Sequence, residues 1–255
     1  MRRLVTDTLV IAERNLIRLP RAPDLLLAFT VQPIMFVLLF RYVFGGAIHV
    51  PGGLSYVEFL IPGIVVQNIA FGGFVTALGL NEDVHKGLID RFRSLPMTRP
   101  AVLAGRTLAD EVTNALSIVV LVVTGLIVGF AFHTSALLVV GGMGLLLLFG
   151  YAFSWVFAFL GLLVSSPEAA NSVGFIAVFP LTFISSAFVP VATMPEPLKT
   201  FAEVNPFTIV VDAMRALWVG TPAGNNVWGA VAWSLGIMVV FAPLAVMRYR
   251  RAAAD

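Results

Sequence analysis

"VTNALSIVVLVVTGLIVGFAFHTSALLVVGGMGLLLLFGYAFSWVFAFLGLLVSSP", residues 112–167, continues for 56 residues without one Lys, Arg, Asp or Glu. A membrane-crossing helix needs about 20 mostly apolar residues, so this run is too long for a single crossing. His133, Thr134 and Ser135 offer a polar turn near its middle. Two helices in succession are therefore predicted, at roughly 112–132 and 136–164. Working outward, further apolar runs predict helices at roughly 24–44, 59–80, 172–190 and 227–247. Of the 255 residues, 59% are hydrophobic and 12% charged, and the mean hydropathy is +0.95. One globular core cannot bury that much apolar surface. The expected fold is all-α: a polytopic membrane protein, one domain over 1–255, with six transmembrane helices.

Charge placement tests that division, because cytoplasmic segments carry the excess of Lys and Arg. Thirteen of the sixteen fall in 1–23, 81–111 and the tail from 248 to 255. Only Arg41, Lys199 and Arg215 fall on the alternate side. This pattern predicts six crossings with both termini cytoplasmic. A cleaved leader is not expected, since Glu13 and Asp24 precede an apolar run longer than a signal core. With no Cys in the chain, a disulfide frame, a Cys-ligated zinc and a thiol nucleophile are excluded together. The net charge of +2 gives no reason to expect a nucleic-acid partner.

The segments between crossings are patterned. In 1–23, Val5, Leu9, Ala12, Leu16 and Leu19 share one helical face, with Arg3, Asp7, Arg14, Arg18 and Arg21 opposite. That predicts an interfacial helix on the inner leaflet, with Val10 and Ile11 widening its apolar stripe. Pro20 and Pro23 end it. In "VHKGLIDRFRSLPMTRP" (84–100), Val84, Leu88, Phe92 and Leu95 recur at helical spacing and Lys86, Asp90 and Arg93 oppose them, with Pro96 closing the helix. Gly87 weakens it by about 1 kcal/mol relative to Ala. The segment 191–226 is the one sizeable external stretch. Thr193 with Glu196 has capping-box spacing, and Asn205 with Pro206 is a second helix start. Its apolar residues predict two short helices dipping back as a re-entrant hairpin, shielded by protein.

Chemistry within the crossings is sparse. Arg41, Glu58 and Glu168 all fall near predicted helix ends, so the crossings are expected to hold no acidic relay for a proton- or sodium-coupled carrier. His49, His85 and His133 lie apart and form no metal or Ser/His site. Neither Lys86 nor Lys199 sits in a phosphate-cradling loop. Any uphill work must then come from another polypeptide docked on the cytoplasmic side. The helix 84–95 is the expected receiving surface, inserting Leu88, Phe92 and Leu95 into a groove of an ATPase.

"GLIDRFRSLPMTRPAVLAGRTLAD" (87–110) together with "FPLTFISSAFVPVATMPEPLKTFAEVNPFTIVVDAMRAL" (179–217) resembles the membrane subunit of ABC-2 type exporters, in the daunorubicin-resistance-type branch that exports drugs or lipids. The resemblance covers essentially the whole chain. It implies an N-terminal interfacial helix, a cytoplasmic coupling helix between crossings two and three, and an outer re-entrant hairpin before crossing six. It also implies two permease copies, identical or paralogous, paired with two ATPase subunits that bind ATP and Mg, this chain binding no cofactor. Many members carry Gly-Thr followed two residues later by Glu in the coupling region. Here Gly87, Leu88, Ile89 and Asp90 stand instead, so the acidic role passes to Asp90.

The expected function is the permease half of an ATP-driven exporter in a bacterial inner membrane, moving a hydrophobic or amphipathic compound, drug-like or lipid, out of the cytoplasm or inner leaflet. It is not expected to be an enzyme itself. The coupling residues are Val84, Leu88, Asp90, Arg91, Phe92, Arg93, Leu95 and Pro96. The pathway between copies is expected to be lined by Phe29, Gln32, Phe36, Gln67, Asn68, Phe71 and Phe183, in contact with membrane lipids. The alternative is an energy-independent module such as a lipid scramblase or a scaffold.

Overall fold

The computed structural model describes residues 2–18, 23–48, 50, 53–85 and 99–252. Among these the chain is helical and contains no strand. The elements are α1 (Arg2–Arg18), α2 (Pro23–Leu39, prolonged by a π-helical stretch Phe40–Phe44), α3 (Tyr56–His85), α4 (Arg99–Ile127) and α5 (Ala136–Gly161). Then come α6 (Pro167–Phe183), a 3₁₀ turn Val191–Thr193, α7 (Glu196–Val204), α8 (Pro206–Val219) and α9 (Asn226–Ala252). Among the described residues four stretches are long and apolar enough to cross a membrane: Tyr56–Asp83, Leu103–Ile127, Ala136–Gly161 and Asn226–Tyr249. Val31–Phe44 and Glu168–Phe183 are apolar but shorter.

Local chemistry sets the helix ends. Ser135 takes an extended conformation ahead of α5, so the polar turn does divide the long apolar run. Ser166 caps α6 by accepting the Ala169 N–H at 3.2 Å, with Pro167 suited to the first turn. Asn205 Oδ1 accepts the Phe207 N–H at 2.9 Å, the expected cap of α8. Gly220, at φ +83°, closes α8 by donating its N–H to Arg215 O at 3.1 Å, a left-handed position that glycine takes without a Cβ penalty.

Three expectations need correction. α4 starts at Arg99 rather than near 112 and ends at Ile127 rather than 132, because helix continues through charged residues that face protein. α6 stops at Phe183 rather than 190, and 184–190 is irregular. The Thr193–Glu196 capping box does not form: Pro195 is the cap residue, and the Thr193 hydroxyl donates to Pro190 O at 2.7 Å.

α3 forms the centre, packed by α2, α4, α5, α6 and α8, while α9 covers α5 and α8. In lipid, close approach of small residues replaces the hydrophobic drive of water, and the α3–α5 seam uses it. Gly73 makes room for the Phe157 ring, and Gly161 lies against the backbone of Ala77. Gly161→Val is expected to destabilise the fold by about 1–3 kcal/mol through overpacking. The check is the temperature at which the detergent-solubilised protein loses its monodisperse chromatographic peak.

α1 lies along α4, where Gly105 admits the Thr8 backbone and the Ile11 side chain. Ile11 and Ala12 are buried there, whereas Leu9 and Val10 remain exposed. The wide apolar stripe thus serves two surfaces, one of them protein.

Candidate transport pathway and its polar anchors

α3 ends at His85 and α4 begins at Arg99. Between them lie Leu88, Asp90, Arg91, Phe92, Arg93, Leu95 and Pro96, which fall outside the described residues, as does the side chain of Val84. The two flanking helices are tied together just inside that segment. Arg106 Nη2 donates to Val75 O at 2.9 Å, and its Nη1 pairs with Asp83 Oδ2 at 3.4 Å. The guanidinium occupies the space left by the missing side chain of Gly79. The Thr76 hydroxyl donates to Asp110. Asn114, wedged between Gly72 and Gly150, donates to Glu111 Oε1 at 3.0 Å.

This cluster bears on the expectation that the crossings hold no acidic relay. Arg106, Asp110 and Glu111 belong to the apolar stretch Leu103–Ile127, turned toward α3 and α5. Counterions and hydrogen bonds make such burial tolerable. Glu111 Oε2 is buried without a hydrogen-bond partner among the described residues.

A strip of ten phenylalanines crosses the molecule. It passes from Phe157 (α5) through Phe74 and Phe71 (α3) to Phe175, Phe179 and Phe183 (α6). It continues through Phe188 to Phe40, Phe36 and Phe44. Successive ring centroids lie 4.2–6.2 Å apart, so each ring is in contact with the next. Phe44, Phe175 and Phe179 are exposed, whereas Phe157 and Phe188 are buried. At Phe44, Phe175 and Phe179 the strip presents an apolar, polarisable surface on which flat or extended apolar groups can stack.

Beyond the strip, the irregular stretch after α6 is held by two side chains of the α7–α8 region. Asn205 Nδ2 donates to Leu181 O and Ile184 O, both at 2.7 Å. Arg215, 4% exposed, is the larger anchor. Its Nε and Nη2 donate to Phe59 O at 3.0 and 2.9 Å, and Nη2 also reaches Ser186 O at 2.6 Å. Its Nη1 donates to Asp212 Oδ1 at 2.8 Å and to Ser186 Oγ at 3.1 Å, while Ser186 Oγ donates to Asp212 at 2.8 Å. The guanidinium carbon stands 3.6 Å from the Phe59 ring centroid, a cation–π contact. Nearby, His133 Nε2 meets Glu58 Oε1 at 2.5 Å, and the Thr134 hydroxyl donates to Leu217 O at 2.5 Å. Residues 56–59, 133–134 and 215–218 therefore share one end of the bundle. Asn81 Nδ2, bonded to Gly161 O at 3.1 Å and Val164 O at 2.8 Å, marks the other, with Arg106.

Residues 6–218 match the family described as ABC-2 type transporter. The chain belongs to that family. Among its relatives is the daunorubicin resistance ABC transporter permease protein DrrB1 of Streptomyces coeruleorubidus, 37% identical over 246 residues, covering 96% of this chain and 87% of the relative. The probable doxorubicin resistance ABC transporter permease protein DrrC of Mycobacterium tuberculosis is 25% identical, covering 99% of this chain and 91% of its own length. A putative transport permease of Cyanophora paradoxa, ycf38, is 26% identical over 217 residues, covering 84% and 74%.

In this ABC-2 chain the structure joins Phe36, Phe71 and Phe183 of the expected pathway in one strip. Gln67 and Asn68 sit one helical turn before Phe71, and Gln32 one turn before Phe36; none of the three belongs to the strip itself. Gln67 is buried, Asn68 half-buried and Gln32 exposed. The side chain of Phe29 falls outside the described residues. Sequence reasoning missed the anchoring roles of Arg215 and Asn205. The signal was present in "PFTIVVDAMRALWV", where a lone Arg follows an Asp by three residues in an otherwise apolar helix.

Proposed function

We propose that this chain is the membrane-embedded permease subunit of an ATP-driven exporter that moves a hydrophobic or amphipathic compound out of a bacterial inner membrane or cytoplasm. The observation that carries this reading is the near full-length similarity to a daunorubicin resistance permease. On this reading two permeases, identical or paralogous, pair with two ATPase subunits, which bind ATP and Mg. The residues Val84, Leu88, Asp90, Arg91, Phe92, Arg93, Leu95 and Pro96 form the docking surface. The phenylalanine strip, flanked by Gln32, Gln67 and Asn68, is the wall along which cargo moves. A planar aromatic such as daunorubicin fits it, because offset stacking on its exposed rings demands no fixed register.

The chain crosses the bilayer six times with both termini cytoplasmic. α2 with its π-helical extension spans 22 residues, from Pro23 to Phe44, or about 33 Å, enough for a hydrocarbon core of about 30 Å. α6 has 17 residues, about 25 Å, and falls short, so its irregular continuation lies at membrane depth. There every carbonyl needs an internal donor, which accounts for Asn205 and Arg215. α7 and α8 then form the re-entrant hairpin at the outer end. Because the chain has no Cys, orientation can be read from single cysteines. With intact cells and an impermeant maleimide, Lys199→Cys is expected to label and Arg93→Cys to stay unlabelled. The opposite pattern would invert the topology.

The functional test is export of daunorubicin by cells expressing the chain with its ATPase. Phe71→Ala combined with Phe179→Ala removes two rings, at about 0.5–1.5 kcal/mol each. The half-saturating concentration should rise about fivefold or more while membrane levels and ATPase copurification hold. Unchanged export kinetics would remove the strip from the pathway.

A further inference from the structure

We propose that α3 is a transmission rod between its C-terminal turns, at Val75 to Asp83, and the stretch 184–190, gripped at its two ends by Arg106 and Arg215 as positioning residues. The inference rests on the exporter reading and adds how a motion at the ATPase side reaches the opposite end of the bundle.

The outer grip lies in the first turns of α3, beside Pro62, which has no N–H and leaves Glu58 O without its helical donor. Phe59 O, one turn before Pro62, receives two N–H donors of Arg215 at 2.9 and 3.0 Å. The same guanidinium holds Ser186 O at 2.6 Å. Tyr56 OH donates to Phe188 O at 3.3 Å, and Gly63 lies directly against the Ala187 backbone. Three consecutive residues of the irregular stretch, 186 to 188, thus bear on three positions of the first turns of α3. Its other boundary, Pro190, leads into the 3₁₀ turn and the α7–α8 pair.

The inner grip mirrors this. Arg106 takes Val75 O and Asp83 within the gap at Gly79, and Thr76 bonds Asp110. These ties join the C-terminal part of α3 to the N-terminal part of α4, so the two helices move there as one body. At each end the arginine holds a backbone carbonyl, which is fixed to the helix axis and has no rotamer freedom on the rod's side. From Phe59 to Asp83 the rod measures about 36 Å at 1.5 Å per residue. It is also shielded: 72% of its apolar window is buried inside the protein, against 17% for α9, so lipid does not grip it.

The test uses the assembled complex with its ATPase in liposomes, reading ATP hydrolysis and daunorubicin export together. Arg215→Lys keeps the charge beside Asp212 but cannot fork to Phe59 O and Ser186 O at once; Arg106→Lys does the same to Val75 O and Asp83. Each is expected to leave assembly and hydrolysis within about twofold of the native complex, while export per ATP falls about tenfold. Tyr56→Phe removes one hydroxyl, and a two- to threefold fall is expected. A parallel loss of assembly, hydrolysis and export, or an unchanged export-to-hydrolysis ratio in all three variants, would overturn the rod. If the native complex hydrolyses ATP and exports no daunorubicin, the choice of cargo in the exporter reading fails first and the ratio must rest on a lipid probe, fluorescent phosphatidylethanolamine. Export of neither probe defeats the exporter reading and the rod with it.

Discussion

Arg215→Ala is expected to destabilise the chain by about 3 kcal/mol or more. Truncation strands the carbonyls of Phe59 and Ser186 and removes the counterion of Asp212. Breaking a buried pair from one side typically costs about 3–5 kcal/mol, because the remaining groups have no water to turn to. Asp212 keeps its Ser186 hydroxyl and is 34% exposed, so most of the loss comes from the two carbonyls and the Phe59 ring contact. The expected readout is a sharp fall in thermal midpoint and a lower yield of membrane-inserted protein. Arg215→Ala with Asp212→Ala, which removes the charge on both sides, should recover part of the loss. A midpoint within a degree or two of the native value would mean that the anchor contributes little.

The second large effect is expected at Phe92. As the central apolar residue of 84–95, it is proposed to enter a groove of the ATPase. Phe92→Asp exchanges about 2–3 kcal/mol of apolar burial for a desolvated carboxylate, and the complex should weaken by a hundredfold or more. The chain should still insert, since this residue lies outside every apolar stretch of crossing length. Copurification with a tagged ATPase, compared with Ser94→Asp on the same segment, is the measurement. Undiminished pull-down would place the docking surface elsewhere.

How much of this was legible depends on where polar groups sit. The division of 112–167 at His133 to Ser135 was legible because a polar triplet in an apolar run has few uses besides a turn. The Asn205–Pro206 start was equally clear. The true beginning of α4 was not, since a crossing drawn only through uncharged residues stops at Val112. Arg106, Asp110 and Glu111 were hidden by their orientation: they face α3 and α5, and their neighbours Leu108 and Val112 present the apolar side outward. The early end of α6 was illegible for a related reason. "LTFISSAF" reads as continuous helix, yet its carbonyls are claimed by Asn205 and Arg215 from 20 to 30 residues downstream. For the pathway, Phe36, Phe71 and Phe183 were identifiable as aromatics on three helices. Their joining through Phe40, Phe175, Phe179 and Phe188 required the packing.

The presence of Asp110 and Glu111 inside α4 makes the energy source the sharpest question. Glu111 Oε2 has no described partner, and a buried carboxyl of that kind is what an ion-coupled carrier would use. The decisive measurement is daunorubicin accumulation in sealed liposomes, comparing the permease alone under an imposed pH or sodium gradient with the permease plus its ATPase and ATP. The account predicts accumulation only with the ATPase and ATP. Uphill movement by the permease alone, driven by the ion gradient and abolished by Glu111→Gln, would contradict it.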